Sequence, residues 1–240
     1  MNFLKSRFRD EQQFQLFAML TLASFFCGLL VLGRMYLNRA QLPEVNGMSD
    51  FIWSRATFFF LIWNLGLAGI PYFVALKAER VQRLGAGRMS VLLLLLVWLA
   101  FLPNAPYIIT DFVHLRQRPP VPYWYDLVLF FTTACLGLTF GLLSIYEVHI
   151  ILKRWFSKTF SAALVFSAIC LSGFGVWLGR FQRWNSWDIV TRPKALLRDV
   201  LDTFTTRHEL LHAVGISVLL SGILLVGYGL LVVMLDSRRA

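Results

Sequence analysis

The stretch MSVLLLLLVWLAFLPNAPYIITDFVHL, Met89 to Leu115, holds the architectural question of this chain. Its first 14 residues, Met89 to Leu102, are almost pure hydrocarbon. As a helix they extend about 21 Å, short of the roughly 30 Å hydrocarbon layer of a bilayer. Pro103 and Pro106 then each remove a backbone donor and disfavour helix at the residue before them. Asn104, Thr110, Asp111 and His114 follow, where a span should still be running. Three courses fit: a proline-kinked helix that continues to His114, an unwound segment over PNAPYIIT (Pro103 to Thr110), or a surface loop. Irregular backbone at membrane depth is tolerated only where protein or a wet cavity surrounds it, and broken helices supply ligand-binding groups in many transporters. In any helical continuation Asp111 and His114 stand at i and i+3 and share a face.

The rest of the chain is of the same kind. Of its 240 residues 58% are hydrophobic and only 15% charged, with a mean hydropathy of +0.64, too apolar for one soluble domain. Six windows without a charge, each about 20 residues or slightly longer, are long enough to cross a bilayer as helices. The expectation is an all-α, polytopic membrane bundle forming a single domain over 1–240. Its spans fall at about 14–34, 56–76, 89–110, 127–150, 159–180 and 212–235, with the third broken or kinked. Cys27, Cys135 and Cys170 all fall inside spans, where they read as packing residues. Lys5, Arg7 and Arg9 ahead of the first window resemble a signal-peptide head. The apolar run is longer than a typical signal core and has no convincing cleavage site, so an uncleaved first span is expected.

The net charge of +10 does not point to nucleic acid, because the basic residues are dealt out in small groups at the ends of the apolar windows. That pattern suits anionic lipid headgroups. The two tails with the second and fourth loops carry 12 Lys and Arg, and the first, third and fifth loops carry 11. With the long fifth loop set aside, the short loops favour both termini in the cytoplasm. Either way, the loops after spans one, three and five share a side, so the proline segment and the fifth loop can meet.

The fifth span ends in LGRFQRWNSWD, which crowds Arg180, Arg183, Asn185 and Asp188 among Phe181, Trp184 and Trp187. Aromatic residues and Arg gather at membrane interfaces to anchor helix ends, but such a belt does not call for Asn and Asp. Arginines beside indoles can equally receive a headgroup or an anion. Downstream, TRPKALLRDVLDTF sets Leu197, Val200, Leu201 and Phe204 along one face, the pattern of an amphipathic interfacial helix between spans five and six.

His208 to His212 reads HELLH and matches HExxH, in which two histidines one helical turn apart bind zinc and Glu209 acts as general base. A catalytic zinc needs a third protein ligand; His114, Asp111 and Asp188 share its side, whereas His149 is expected on the other. The blander reading is an interfacial helix start with Glu209 near its positive end. No cofactor is therefore expected, with zinc at His208 and His212 as the alternative.

FLPNAPYIITDFVHL together with GRFQRWNSWD resembles the bacterial membrane protein family called domain of unknown function 1361, over most of the chain from about span two to span six. The resemblance implies a multi-pass protein of the bacterial inner membrane whose shared residues include Pro103, Asn104, Pro106, Tyr107, Thr110 and Asp111, and Arg180, Arg183, Trp184, Asn185, Ser186, Trp187 and Asp188. HELLH lies outside that shared pattern, and the family carries no established activity. The leading expectation is a protein that binds or transports a polar or lipid-headgroup ligand. Its candidate site residues are Asn104, Tyr107, Thr110, Asp111, His114, Arg180, Arg183, Asn185 and Asp188. Its partners are membrane lipids and a polar or anionic small ligand. The alternatives are a membrane-embedded zinc hydrolase and a structural subunit whose partner protein carries the chemistry.

Overall fold

The structure, a computed structural model, describes residues 7–38 and 58–236. Lys5, Arg39, Arg55, Arg238 and Arg239, which enter the loop charges, and the first two residues expected in span two lie outside the described residues. In chain order the helices are α1 (Glu11–Leu37), α2 (Phe59–Arg83), α3 (Arg88–Phe101), α4 (Asn104–Tyr107), a 3₁₀ helix (Ile108–His114), α5 (Tyr123–Lys153), α6 (Lys158–Arg180), α7 (Asp188–Thr191), α8 (Pro193–Thr205) and α9 (Arg207–Asp236). Six stretches are long and apolar enough to cross a membrane: α1, α2, the run Arg88–His114, α5, α6 and α9. Most run past the charge-free windows, because a helix continues through the interface after its hydrocarbon stops.

α5 is the centre of the bundle. It is buried along most of its length, packs most extensively on α2, and touches α1, α6 and α9. The outward faces keep large apolar side chains exposed, among them Phe25, Leu29, Leu93, Phe131 and Val218, as lipid-facing helices do. On the side of loops one, three and five, Arg34 at the end of α1 donates through Nε to Asp126 Oδ1 at 2.6 Å, with both side chains buried. On the opposite side, Arg9 meets the buried Glu147 at 2.7 Å and Arg154 meets the buried Glu79 at 2.9 Å. There His149 Nδ1 also hydrogen-bonds Tyr228 Oη. Each buried carboxylate thus has a guanidinium, which its removal from water demands.

The third span is neither unwound nor a surface loop. Leu102 (φ −53°, ψ −38°), Pro103 (−58°, −24°), Tyr107 (−54°, −37°) and Ile108 (−57°, −28°) all keep right-handed helical dihedrals. The path changes hydrogen-bond pattern instead, from α to a single short α turn and then to 3₁₀. Glycines on both neighbouring helices receive it, Gly137 and Gly141 on α5 and Gly175 on α6. A Cβ on Gly141 of α5 would lie 2.7 Å from Ala105 Cβ, and one on Gly175 of α6 would collide with the Pro103 ring. The proline segment is wedged between α5 and α6 at positions where only hydrogen fits.

Candidate functional site

The prolines leave backbone groups to be satisfied, and Asn104 does part of that. Ala105 N–H donates to Leu102 O at 3.1 Å, so the carbonyl of Phe101 lacks its usual α-helical donor. Asn104 Nδ2 supplies one at 2.9 Å and gives its second hydrogen to Ser186 Oγ at 3.0 Å. The expected meeting of the third span with the fifth loop is therefore a direct side-chain contact.

Just beyond it, Arg180 at the end of α6 gathers polar groups of α4 and the 3₁₀ helix. Nη1 donates to Tyr107 Oη at 3.2 Å and to Asp111 Oδ1 at 3.4 Å, and Nη2 donates to Thr110 O at 3.0 Å. His114 Nε2 lies 3.1 Å from Nη2, and the guanidinium stands 5.5 Å from the centre of the Tyr107 ring. The other oxygen of Asp111 accepts from Asn64 Nδ2 of α2 at 2.8 Å. Asp111 is 1% exposed, and its carboxylate is held by Asn64 of α2 and Arg180 of α6. The Thr110 hydroxyl turns back onto Tyr107 O at 2.6 Å.

The fifth loop is tied to itself. Arg183 has φ +60°, a left-handed conformation uncommon for a side chain that is not glycine, and the chain reverses there so that Trp184 N donates to Leu178 O at 3.1 Å. Asp188 accepts from Asn185 N at 2.9 Å, from Thr191 Oγ1 at 3.1 Å, and from Arg192 Nε and Nη2 at 3.0 Å each. The Asn185 amide, with Arg192 and Thr191 adding to it, holds the Asp188 carboxyl below the usual range. Arg192 lies 4.8 Å over Trp184, whose indole donates to Asp199 Oδ2 of α8 at 3.0 Å. Asp188 thus takes Arg192 as its partner, Asp111 takes Arg180, and Arg183 is exposed.

Between these segments lies a cavity of about 590 Å³. Leu67, Leu99, Ala100 and Phe174 are among its apolar walls, whereas Asn64, Asn104, Tyr107, Asn185 and Ser186 make it polar toward the fifth loop. Trp63, Leu96 and Leu171 also line it and are 59%, 63% and 55% exposed, so it opens sideways on the lipid-facing surface of α2, α3 and α6. A family model described as "Protein of unknown function (DUF1361)" matches residues 63–224, which is 162 of the 240 residues. The chain belongs to the DUF1361 family. No curated protein and no solved structure matches it.

The DUF1361 region takes in the proline segment, the fifth loop and the cavity between them. Of the nine residues singled out from sequence, Asn104, Tyr107 and Asn185 line the cavity. Arg180, Asp111, Thr110 and His114 form the cluster behind Tyr107, while Asp188 braces the loop and Arg183 stands outside. Sequence reasoning missed Asn64, whose signal was a lone amide inside an otherwise apolar window, and the Arg34–Asp126 pair. In the HELLH stretch of this DUF1361 chain, His212 Nδ1 accepts from Trp177 Nε1 at 3.2 Å, and its ring lies 4.5 Å from that of Phe181. Glu209 accepts from Gln182 Nε2 at 3.5 Å, and His208 is exposed. Among the described residues no three His, Cys, Asp or Glu side chains are grouped so as to hold a metal ion.

Proposed function

We propose that this DUF1361 protein binds a membrane amphiphile, with its polar end at Asn104, Tyr107, Asn185 and Ser186 and its apolar chain between α3 and α6. The observation that carries the reading is the two-ended chemistry of the cavity, amide and hydroxyl groups at one end and hydrocarbon walls at the other, with a mouth on the lipid side. Its volume falls within the range of small-ligand sites. The basic short loops support a bacterial inner membrane with both termini in the cytoplasm, which sets the cavity in the outer leaflet. On α8, Leu197, Leu201 and Phe204 are exposed together, which supports a helix lying on the same interface.

Native mass spectrometry of the full chain, extracted directly from membrane into polymer nanodiscs, tests the reading. The wild-type protein is expected to retain a lipid-sized adduct that Ala100→Phe, which fills the cavity, loses. Equal retention by both would overturn it. Leu96→Trp at the mouth serves as a second variant should Ala100→Phe not fold.

A further inference from the structure

The cavity's polar end carries no formal charge. Among its described lining residues, those able to hydrogen-bond through their side chains are two tyrosine-type or serine hydroxyls, three amides and three indoles, from Tyr107, Ser186, Asn64, Asn104, Asn185 and the tryptophans. Arg180, which bonds the lining Tyr107, is committed elsewhere. Its two terminal nitrogens bond Tyr107 Oη, Asp111, the Thr110 carbonyl and His114, and its charge is balanced by Asp111. Arg192 is likewise held on Asp188 and stacked on Trp184.

The groups that remain are of mixed sense. Asn104 gives both amide hydrogens to Phe101 O and Ser186 Oγ, which leaves its oxygen as an acceptor. Ser186 and Tyr107 accept from Asn104 and Arg180, which leaves each hydroxyl its own hydrogen to donate. A carboxylate or a phosphodiester only accepts, so it would face the Asn104 oxygen without a hydrogen to offer, and any anionic head would be taken out of water with no cation among the groups that line the cavity. An alcohol donates and accepts, and matches both kinds of group. Indoles and amides around hydroxyls supply the flat apolar face and directional bonds that a polyol ring or glycerol needs.

From this we infer that the occupant of the cavity is a lipid with an uncharged, hydroxyl-bearing head, and that anionic phospholipids are excluded from it. The inference rests on the amphiphile reading above and narrows it to a headgroup class. A free diacylglycerol hydroxyl and a sugar on the same diacylglycerol are two sources of that chemistry.

Full-length protein in nanodiscs, titrated with dioleoylglycerol, monoglucosyl-dioleoylglycerol or dioleoyl phosphatidate and read by native mass spectrometry, separates the cases. At least one neutral lipid is expected to be retained about tenfold over phosphatidate, equivalent to a clear step in affinity. That excess is expected to disappear in Ala100→Phe and to fall in Ser186→Ala. Which neutral lipid leads tells glycerol from sugar. Phosphatidate retained as well as or better than both, and lost in Ala100→Phe, would overturn the uncharged head while leaving the cavity as a lipid site. No lipid retained above the level of Ala100→Phe would overturn both. Leu96→Trp replaces Ala100→Phe if the latter does not fold.

Discussion

Arg180 and Asp111, 69 residues apart, form an ion pair at 3.4 Å in which the arginine keeps slight exposure and the carboxylate almost none. This asymmetry decides which partner can be removed. Arg180→Ala leaves a buried carboxylate with, among the described residues, only Asn64 as its side-chain donor, and is expected to cost about 3 kcal/mol, the low end for a broken buried pair, because the contact is long. Asp111→Asn keeps the shape and leaves the charge on the more exposed partner, so it is expected to cost less. Thermal unfolding in one detergent compares the two; the reverse order would mean that Asp111 is not held by Arg180.

The Gly141 and Gly175 contacts predict a steric map of the proline wedge. Gly141→Ala and Gly175→Ala each force a methyl into Ala105 or Pro103, and each is expected to destabilise by about 1–3 kcal/mol, as overpacking does. Gly28→Ala and Gly222→Ala, where nothing lies within 4 Å of the added carbon, are expected to stay within about 0.5 kcal/mol of wild type or to gain slightly from helix propensity. Similar losses at all four positions would remove the wedge as their cause.

Arg34 and Asp126 join α1 to α5 with both side chains out of solvent, and one Arg34 nitrogen, Nη1, has no hydrogen-bond partner among the described residues. Arg34→Leu and Asp126→Leu are each expected to cost about 3–5 kcal/mol, because each strands a buried charge. The double variant is expected to cost less than the sum of the two. Additive losses in that cycle would mean that the pair is not energetically coupled.

The Asp188 brace has a defined pH signature. Its carboxyl titrates lower in the folded protein than the ordinary value of about 3.9, so its stabilising contribution is complete above that value and drains as the pH falls through the lower folded one. Hydrogen exchange at the Asn185 amide, corrected for its intrinsic rate, is therefore expected to accelerate on acidification below about pH 4 and to lose this dependence in Asp188→Asn. Protection that rises on acidification would contradict the brace.

Much of this architecture was legible in the residues. A bilayer demands about 20 apolar residues per helix, and that demand marks all six spans regardless of what they pack against. Helix ends were less legible: α2 runs to Arg83 because its charged last turns lie where charge is no obstacle. The prolines marked where the third span changes, but the close packing of that segment rests on Gly137, Gly141 and Gly175, which belong to other helices. Loop parity was enough to bring Asn104 to the fifth loop and Asp111 to the end of α6. It could not tell Arg180 from Arg183 as the partner, since that choice follows from where α6 ends and from the left-handed turn at Arg183. Arg34 and Asp126 each looked like a charge at a span boundary, and only the three-dimensional register of α1 against α5 makes them one buried pair.

The sideways mouth bounded by Trp63, Leu96 and Leu171 also changes what dilution means for this site. A molecule that enters from the acyl chains is counted by its mole fraction in one leaflet rather than by its molarity in water. On the proposed reading a minor lipid is already crowded there, so modest affinity suffices to fill the groove. On the proposed lipid reading a detergent molecule competes for the same groove.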